Sequence, residues 1–340
     1  MRIHLFPLFS FLALLASSLS AATISWSTSA VSGPGDVRKD GALVGAMNVG
    51  TTTADGVPTQ VVNGVPFISE PGGSGALALG SATVQFSFAN GQFNDFWSIA
   101  APGGSAEYNT ALDYGRSQDG GARSGTVTLG GLVAGRTYLV QLWVADRRGC
   151  CDTRDRTVDG VATNAVTANI ATGSFTADAA TQVITIVGVG GTDHGPQVNM
   201  LQLRETARPP LVVTSAADDG AGSLRAALAV AAAQGGADTI VFDAAMNGQT
   251  IALSTFTSTD KGNTAFDITD IPGVTVDATS LPAGIKIDGG LQGFRIFRLR
   301  HGASVTLNGL TLSRGGGTTI PSGGAIDNEG GLKLTRCCAD

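Results

Sequence analysis

Four times in the last third of the chain, an apolar, a polar and a second apolar residue are followed by a small polar one. The copies are Val274-Thr275-Val276-Asp277, Ile285-Lys286-Ile287-Asp288, Val305-Thr306-Leu307-Asn308 and Leu332-Lys333-Leu334-Thr335. Alternation at period two puts each apolar pair on one face of a strand that is too short to stand alone. Glycine-rich corners separate the copies: DGGLQG (288–293), SRGGGTT (313–319) and SGGAIDNEGG (322–331). Such a recurrence predicts a solenoid, in which each rung buries its inward residues on the next. Asn308-Gly309, set between two alternating runs, is the competing signal, because it is the strongest short hairpin cue. The recurrence of the unit favours the solenoid.

Upstream of the first copy, SLRAALAVAAAQ (223–234) predicts a short helix with Ser223 as N-cap and Gly235 as stop. Leu224, Leu228 and Ala231 fall on one stripe of that helix. DTIVFD (238–243) then returns to a strand.

These segments resemble the start of the right-handed parallel β-helix repeat proteins of bacterial surfaces, relatives of the polymorphic outer-membrane proteins. The resemblance is carried by LVVTSAADDGAGSLRAALAVA, GADTIVFD, GVTVDATSLPAGIKIDGG, ASVTLNGLTLSRG and GGAIDNEGGLKLTRC, and it covers about residues 211–338. It implies that Gly222–Leu228 forms a small helix capping the open first rung, and it implies an exported protein without catalytic activity. Solenoids of this kind generally need at least about three repeats. The closing LKLTRCCAD reads as a rung beginning, so the expectation is a truncated product or a vestigial solenoid.

The rest of the chain has another texture. MRIHLFPLFSFLALLASSLSAA (1–22) has the early Arg, apolar run and small-residue end of a secretory signal peptide. Its run is shorter than a bilayer span requires and Pro7 interrupts it. Residues 23–204 carry strand-like pieces: Val84, Phe86 and Phe88 share one face, as do Tyr138, Val140, Leu142 and Val144. With 48 glycines and 6% aromatics, that pattern predicts an all-β chain: a β-sandwich of jelly-roll type, with an up-and-down barrel as the other solution. ETARPP (205–210) reads as a linker, and 211–340 as the second domain. The first half is also similar to exported galactose-binding-like sandwich modules, on VVNGVPF (61–67), ALDYGRSQDGG (111–121) and VTLGGLVAGRTYLVQLWVADRRGCC (127–151). That resemblance implies glycan or surface binding.

Seven of the eleven residues from Asp146 to Arg156 are charged, in a chain where 14% are. The segment follows a strand, so it should emerge at one end of the sandwich. Asp146, Arg147, Arg148, Asp152 and Arg154 are candidate ligand-binding residues, since guanidinium forks suit carboxylate and sulfate groups and carboxylates accept from sugar hydroxyls. The competing reading pairs these acids with these arginines, each surface pair contributing only about 0–1 kcal/mol. Trp97, Tyr108, Tyr114 and Trp143 could stack on sugars, against the plainer reading that they are core residues. Trp97 and Tyr108 join the candidate site.

Among the four cysteines, a bridge within the first domain must join the neighbours Cys150 and Cys151. Their α-carbons lie about 3.8 Å apart across a trans peptide, below the usual range of about 4.4–6.8 Å, so such a link is more readily reduced. Bridging to Cys337 or Cys338, intermolecular bridging and free thiols are the alternatives.

No metal site is expected, because zinc-ligand spacing is absent. No cofactor is expected either, save room for a structural calcium ion. A formal net charge of −6 argues against nucleic acid as partner. His194 and His301 lie in no motif. The best enzymatic constellation is Asp267, Asp270, Asp277 and Asp288, near successive rungs, for which a polysaccharide lyase or glycoside hydrolase is the alternative function. A structural spacer is the third. The leading expectation is a secreted or cell-surface protein engaged in adhesion or glycan recognition.

Overall fold

A computed structural model describes residues 22–50, 59–71, 75–88, 91–93, 103, 105–118, 123–151, 153–190, 194–234, 236–269, 273–290, 293–316 and 323–339. The protein is all-β. Its two α-helices among the described residues, α1 (Ala106–Asp113) and α2 (Leu224–Gln234), are short. The chain separates into two compact units, one ending at Ala207 and the other beginning at Arg208. The strand Met200–Ala207 therefore runs three residues into the segment that reads as a linker.

In the first unit, seven strands are ordered Ser25–Ser29, Ile170–Thr176, Thr137–Trp143, Met200–Ala207, Ala42–Asn48, Val65–Ser69 and Gln60–Val62. All neighbours are antiparallel except Ala42–Asn48 and Val65–Ser69, which run parallel. A six-stranded antiparallel sheet runs Val161–Asn164, Asp155–Val158, Thr181–Val189, Ser124–Gly130, Ala82–Phe86 and Leu77–Leu79. One core joins them: Val84, Phe86, Val127, Leu129, Ile184 and Ile186 from the six-stranded sheet meet Met47, Val140, Leu142, Leu201 and Leu203 from the other. The alternation seen in sequence is therefore the alternation between core and the opposite face.

The opposite face of the seven-stranded sheet is covered too. Helix α1 is capped by Ser105, whose Oγ accepts from the Tyr108 amide at 3.3 Å. It buries Tyr108, Ala111 and Leu112 against Trp143, Met200 and Phe67. The strand Thr137–Trp143 is consequently buried on both faces beyond its first residue.

Among the described residues of the second unit, every strand-to-strand pairing is parallel, and two isolated antiparallel bridges, Ser258 with Thr264 and Phe294 with Gly316, lie outside the strands' own pairing. One sheet holds Leu211–Val213, Asp238–Phe242, Val274–Asp277, Ser304–Asn308 and Gly331–Thr335; a second holds Thr250–Ala252, Ile285–Asp288, Leu310–Ser313 and Cys338–Ala339; a third holds Thr264–Ile268, Arg295–Leu299 and Ile326–Asn328. The chain visits the three sheets in a fixed rotation, and each return falls in register: Ile240, Val276 and Leu307 stack in the first, Ile251, Ile287 and Leu312 in the second. These columns, with Ile296, Phe297 and Leu299, form one core. Three of the recurring tetrads lie in the first sheet, whereas Ile285–Asp288 lies in the second. Asn308-Gly309 does not make a hairpin. Gly309, at φ 68°, is a corner that passes the chain from one sheet to another, and a Cβ there would lie 3.2 Å from the Ala278 carbonyl carbon.

Helix α2 covers the start of this stack. The Ser223 Oγ accepts from the Ala226 amide at 3.2 Å, and Leu224, Leu228 and Ala231 are buried in the core. Arg225 leaves the same helix sideways. Its guanidinium donates to Asp218 Oδ1 at 2.5 Å, to the Ala265 carbonyl at 2.6 Å and to the Thr255 carbonyl at 3.1 Å, and lies 4.8 Å over the Phe266 ring. The other Asp218 oxygen accepts from the amides and hydroxyls of Ser254 and Thr255 at 2.7–3.1 Å. Burial alone would raise the Asp218 pKa, but the Thr255 hydroxyl, Arg225 and the Ser254 amide bring it down to about 2.

Two outcomes follow for the second unit. Arg225→Ala leaves a nearly buried carboxylate without its counter-charge and should lower the unfolding free energy by about 3–5 kcal/mol in denaturant titration. Asp218 has a folded pKa below its unfolded value of 3.8, so its contribution is complete above pH 3.8 and disappears as pH falls toward 2. Wild-type stability should drop by roughly 2 kcal/mol across that window from this group, and Asp218→Asn should remove that part of the acid dependence.

Candidate functional site

The charged segment begins where the strand Thr137–Trp143 ends. Past it the backbone stays tied to the interior: the Val144 amide donates to the Asn169 carbonyl at 2.9 Å, Ala145 to Asn199 Oδ1 at 2.8 Å and Asp146 to the Ala165 carbonyl at 3.1 Å. Two successive turns then carry the chain outward and back. The Cys151 amide donates to the Arg148 carbonyl at 2.8 Å, and the Arg154 amide to the Cys151 carbonyl at 3.1 Å. The strand Asp155–Val158 takes the chain back into the six-stranded sheet.

Asp146 is fully buried. Both its oxygens are held by the Arg148 fork, Nε to Oδ1 at 3.0 Å and Nη2 to Oδ2 at 2.8 Å, and the Arg148 amide adds a third contact at 3.2 Å. The expectation that Asp146 faces a ligand is corrected: its side chain positions Arg148 instead. Arg147, Arg148 and Arg154 are half-buried along the turns, and Asp152 lies outside the described residues.

Arg156 is buried, donating to the Gly195 carbonyl at 2.9 Å and to Gln197 Oε1 at 2.6 Å, and so fastens the segment after His194 to the sheet. Gly188 permits this approach, since a Cβ on it would sit 1.6 Å from the His194 carbonyl oxygen. Gln197 closes the ring by donating to the Ala145 carbonyl at 2.6 Å. Asp155 pairs with no arginine among the described residues; it accepts from Asn164 at 2.7 Å.

Cys150 and Cys151 form a disulfide with Cα atoms 3.8 Å apart. Cys337 and Cys338, equally adjacent, are free. The difference is local backbone shape. Cys338 opens the strand Cys338–Ala339 while Cys337 packs toward the core, its Sγ 3.2 Å from the Leu307 carbonyl. Extended chain sends neighbouring side chains to opposite faces, and the turn at Cys150 does not.

The aromatic platform is also corrected. Tyr108 is fully buried; its hydroxyl donates to Asp36 Oδ2 at 3.2 Å and accepts from Trp143 Nε1 at 2.8 Å. Burial, reinforced by the Asp36 charge, pushes the Tyr108 hydroxyl pKa well up. Trp143 is buried edge-on to Phe67, their ring centroids 5.8 Å apart. Neither can stack on a sugar. Tyr114 is half-buried, and Trp97 lies outside the described residues.

Sequence reasoning missed a buried ion pair in the first unit. Glu70 and Arg116, both nearly inaccessible, form an ion pair in which Arg116 also lies 5.0 Å over the Phe86 ring. The buried Asn48 amide makes no hydrogen bond among the described residues. The 46-residue separation of Glu70 and Arg116 left no local signal to find.

The acidic constellation of the second unit does not converge. Asp267 lies in the third sheet, Asp277 in the first and Asp288 in the second, while Asp270 lies outside the described residues. Asp267 is gripped by Arg300 at 2.9 and 2.6 Å; Asp277 accepts from the Thr279 amide and hydroxyl at 2.8 and 2.6 Å; Asp288 accepts from Arg314 Nε at 2.8 Å and the Gly290 amide at 3.0 Å. For Asp267 and Asp277, burial favours the protonated form but the Arg300 and Thr279 bonds outweigh it; for Asp288 the Arg314 bond dominates. All three sit below the ordinary carboxylate range. A general acid needs the opposite shift.

A cavity of about 220 Å³ lies beside α2, walled by Leu228, Ala231, Phe266, Ile268 and Val274. Arg225 and Asp267 also line it, but both are committed to Asp218 and Arg300. Among the described residues, no group of three or more His, Cys, Asp or Glu could hold a metal ion, and no helix is long and apolar enough to cross a membrane.

No family model matches the sequence, and no curated protein is similar to it. Among solved structures, the catalytic domain of a GH87 α-1,3-glucanase variant in complex with nigerose is similar at 13% identity and a TM-score of 0.17, over 71% of this chain and 52% of that one. A second variant of that domain with tetrasaccharides gives 12% identity and a TM-score of 0.16, over 71% and 58%. The unsubstituted domain with nigerose gives 12% and 0.15, over 71% and 52%. The chain thus spans about half the length of these structures. At such scores the likeness bears on neither fold relationship nor activity.

Proposed function

We propose that this is an exported bacterial surface or extracellular protein that recognises a glycan without cleaving it. In this reading the first unit is a jelly-roll β-sandwich binding module, and the second is the capped start of a right-handed parallel β-helix. Two sheets sharing one core support the first assignment. The rotation of parallel strands beneath α2 supports the second. The apolar leader-like run and a disulfide, a bond that reducing cytosol does not favour, support export.

The observation that carries the binding reading is the braced arginine turn. Arg147, Arg148 and Arg154 are partly exposed on a turn pinned from within by Asp146 and Arg156 and across its middle by Cys150–Cys151. Guanidinium groups held in place before a ligand arrives lose little freedom on binding, and their planar donors fit carboxylate, sulfate and sugar oxygens. Catalysis is disfavoured because Asp267, Asp277 and Asp288 are kept apart on different sheets and ionised.

The test is a glycan array probed with the full oxidised chain, followed by titration of any retained acidic or neutral glycan. Arg147→Ala combined with Arg154→Ala should weaken that affinity by about tenfold or more, roughly 1.4 kcal/mol, with an unchanged melting profile. Incubation with the same glycan should release no reducing or unsaturated ends. Retention of no glycan would leave the spacer role standing. Release of ends that stops on Asp267→Ala or Asp288→Ala would establish the hydrolase or lyase alternative.

A further inference from the structure

We infer that Cys150–Cys151 is a reducible clasp: thiols open the Arg148–Arg154 turn under native conditions, and oxidation closes it again. The inference concerns the turn's own chemistry and holds whatever ligand the rim takes. The trans peptide between these neighbours fixes their Cα atoms at 3.8 Å, short of the about 4.4–6.8 Å span over which disulfides ordinarily close, and links outside that span are the more reducible ones. The two sulfurs are unequally accessible, for Cys150 is exposed while Cys151 is 3% exposed. Attack therefore starts at Cys150.

The steps balance. A thiolate bonds to the Cys150 sulfur, the Cys150–Cys151 bond breaks, and Cys151 departs as a thiolate that takes a proton. A second thiol attacks the outer sulfur of the mixed disulfide, releasing the Cys150 thiol and an oxidised disulfide of the reductant. Two electrons and two protons pass from two external thiols to the protein.

Reduction changes shape because the bridge requires both side chains on one side of a turn. The free neighbours Cys337 and Cys338 show the alternative within this same chain: one packs inward and the other lies on a strand. Opening should be local. Ahead of the turn, the Asp146 amide is anchored on the Ala165 carbonyl; behind it, Arg156 is anchored on Gly195 and Gln197. Between these anchors, two hydrogen bonds meet at Cys151: its amide to the Arg148 carbonyl, and its carbonyl from the Arg154 amide.

The experiment treats the oxidised full chain with dithiothreitol without denaturant, alkylates, and follows both peptide masses and amide hydrogen exchange. Cys150 and Cys151 should both become alkylated. Exchange at the Cys151 and Arg154 amides should quicken by about tenfold or more while that at Asp146 is unchanged. In a reduced sample that is not alkylated, oxidised glutathione should restore the slow exchange. Cys150→Ser with Cys151→Ser should exchange fast without reductant, which separates loss of the bridge from effects of the reagent. Alkylation of this pair only in guanidinium, or unchanged exchange in the reduced chain and the double variant, would overturn the inference.

Discussion

A stack of parallel strands has an open beginning: its first layer has core residues with nothing above them and backbone groups with no earlier strand. Here the Asp218–Arg225 node deals with both. Arg225 ties α2 to the Ala265 and Thr255 carbonyls, and Asp218 takes up the amides and hydroxyls of Ser254 and Thr255. With the helix fixed, Leu224, Leu228 and Ala231 close the core over Ile240 and Ile251. The node is nearly buried, so breaking one half strands the other in a poorly solvated place. The columns below follow from that first layer, because each later strand copies the register of the one before it.

The same device, an arginine reaching backbone carbonyls, recurs in both units. Glycine offers no side chain to pack, so such segments are held through their backbone groups, and arginine is the side chain best able to reach several carbonyls at once. Arg204 donates to the Lys39, Asp40 and Gly41 carbonyls, Arg156 to Gly195, and Arg295 to Gly323 and Lys261. Arg156, Arg295 and Arg298 are among the largest side chains removed from solvent. A chain poor in charge commits much of it inward. That is why Arg156, the last arginine of the charged run, serves as a brace.

Local signals were legible in the sequence and long-range ones were not. Ser223 and the stripe Leu224, Leu228, Ala231 could be read because capping and helical period are set within a few residues. The faces holding Val84 and Phe86, or Val140 and Leu142, could be read from alternation. Tyr108 was misjudged because nothing near it announces that α1 lies across the outer face of the seven-stranded sheet. Two Cys-Cys pairs identical in sequence differ in bonding because one occupies a turn and the other an extended segment, a distinction carried by backbone shape.

The acidic constellation shows where the sequence pattern and the spatial one part. Consecutive copies look like neighbours along the chain, yet a chain that visits three sheets in rotation sends successive strand ends to different sheets. Side chains that truly adjoin are one full circuit apart: Asp277 beside Asn308, Asp288 beside Ser313, and Asp267 beside Arg298 beside Asp327. At that spacing two carboxylates could in principle be set side by side, so that mutual repulsion keeps one protonated. This chain instead alternates charge along its only such column among the described residues, with Arg298 between Asp267 and Asp327 and further engaged by Asp260 and Glu329. An arginine placed between two acids offsets their mutual repulsion and so stabilises the stack.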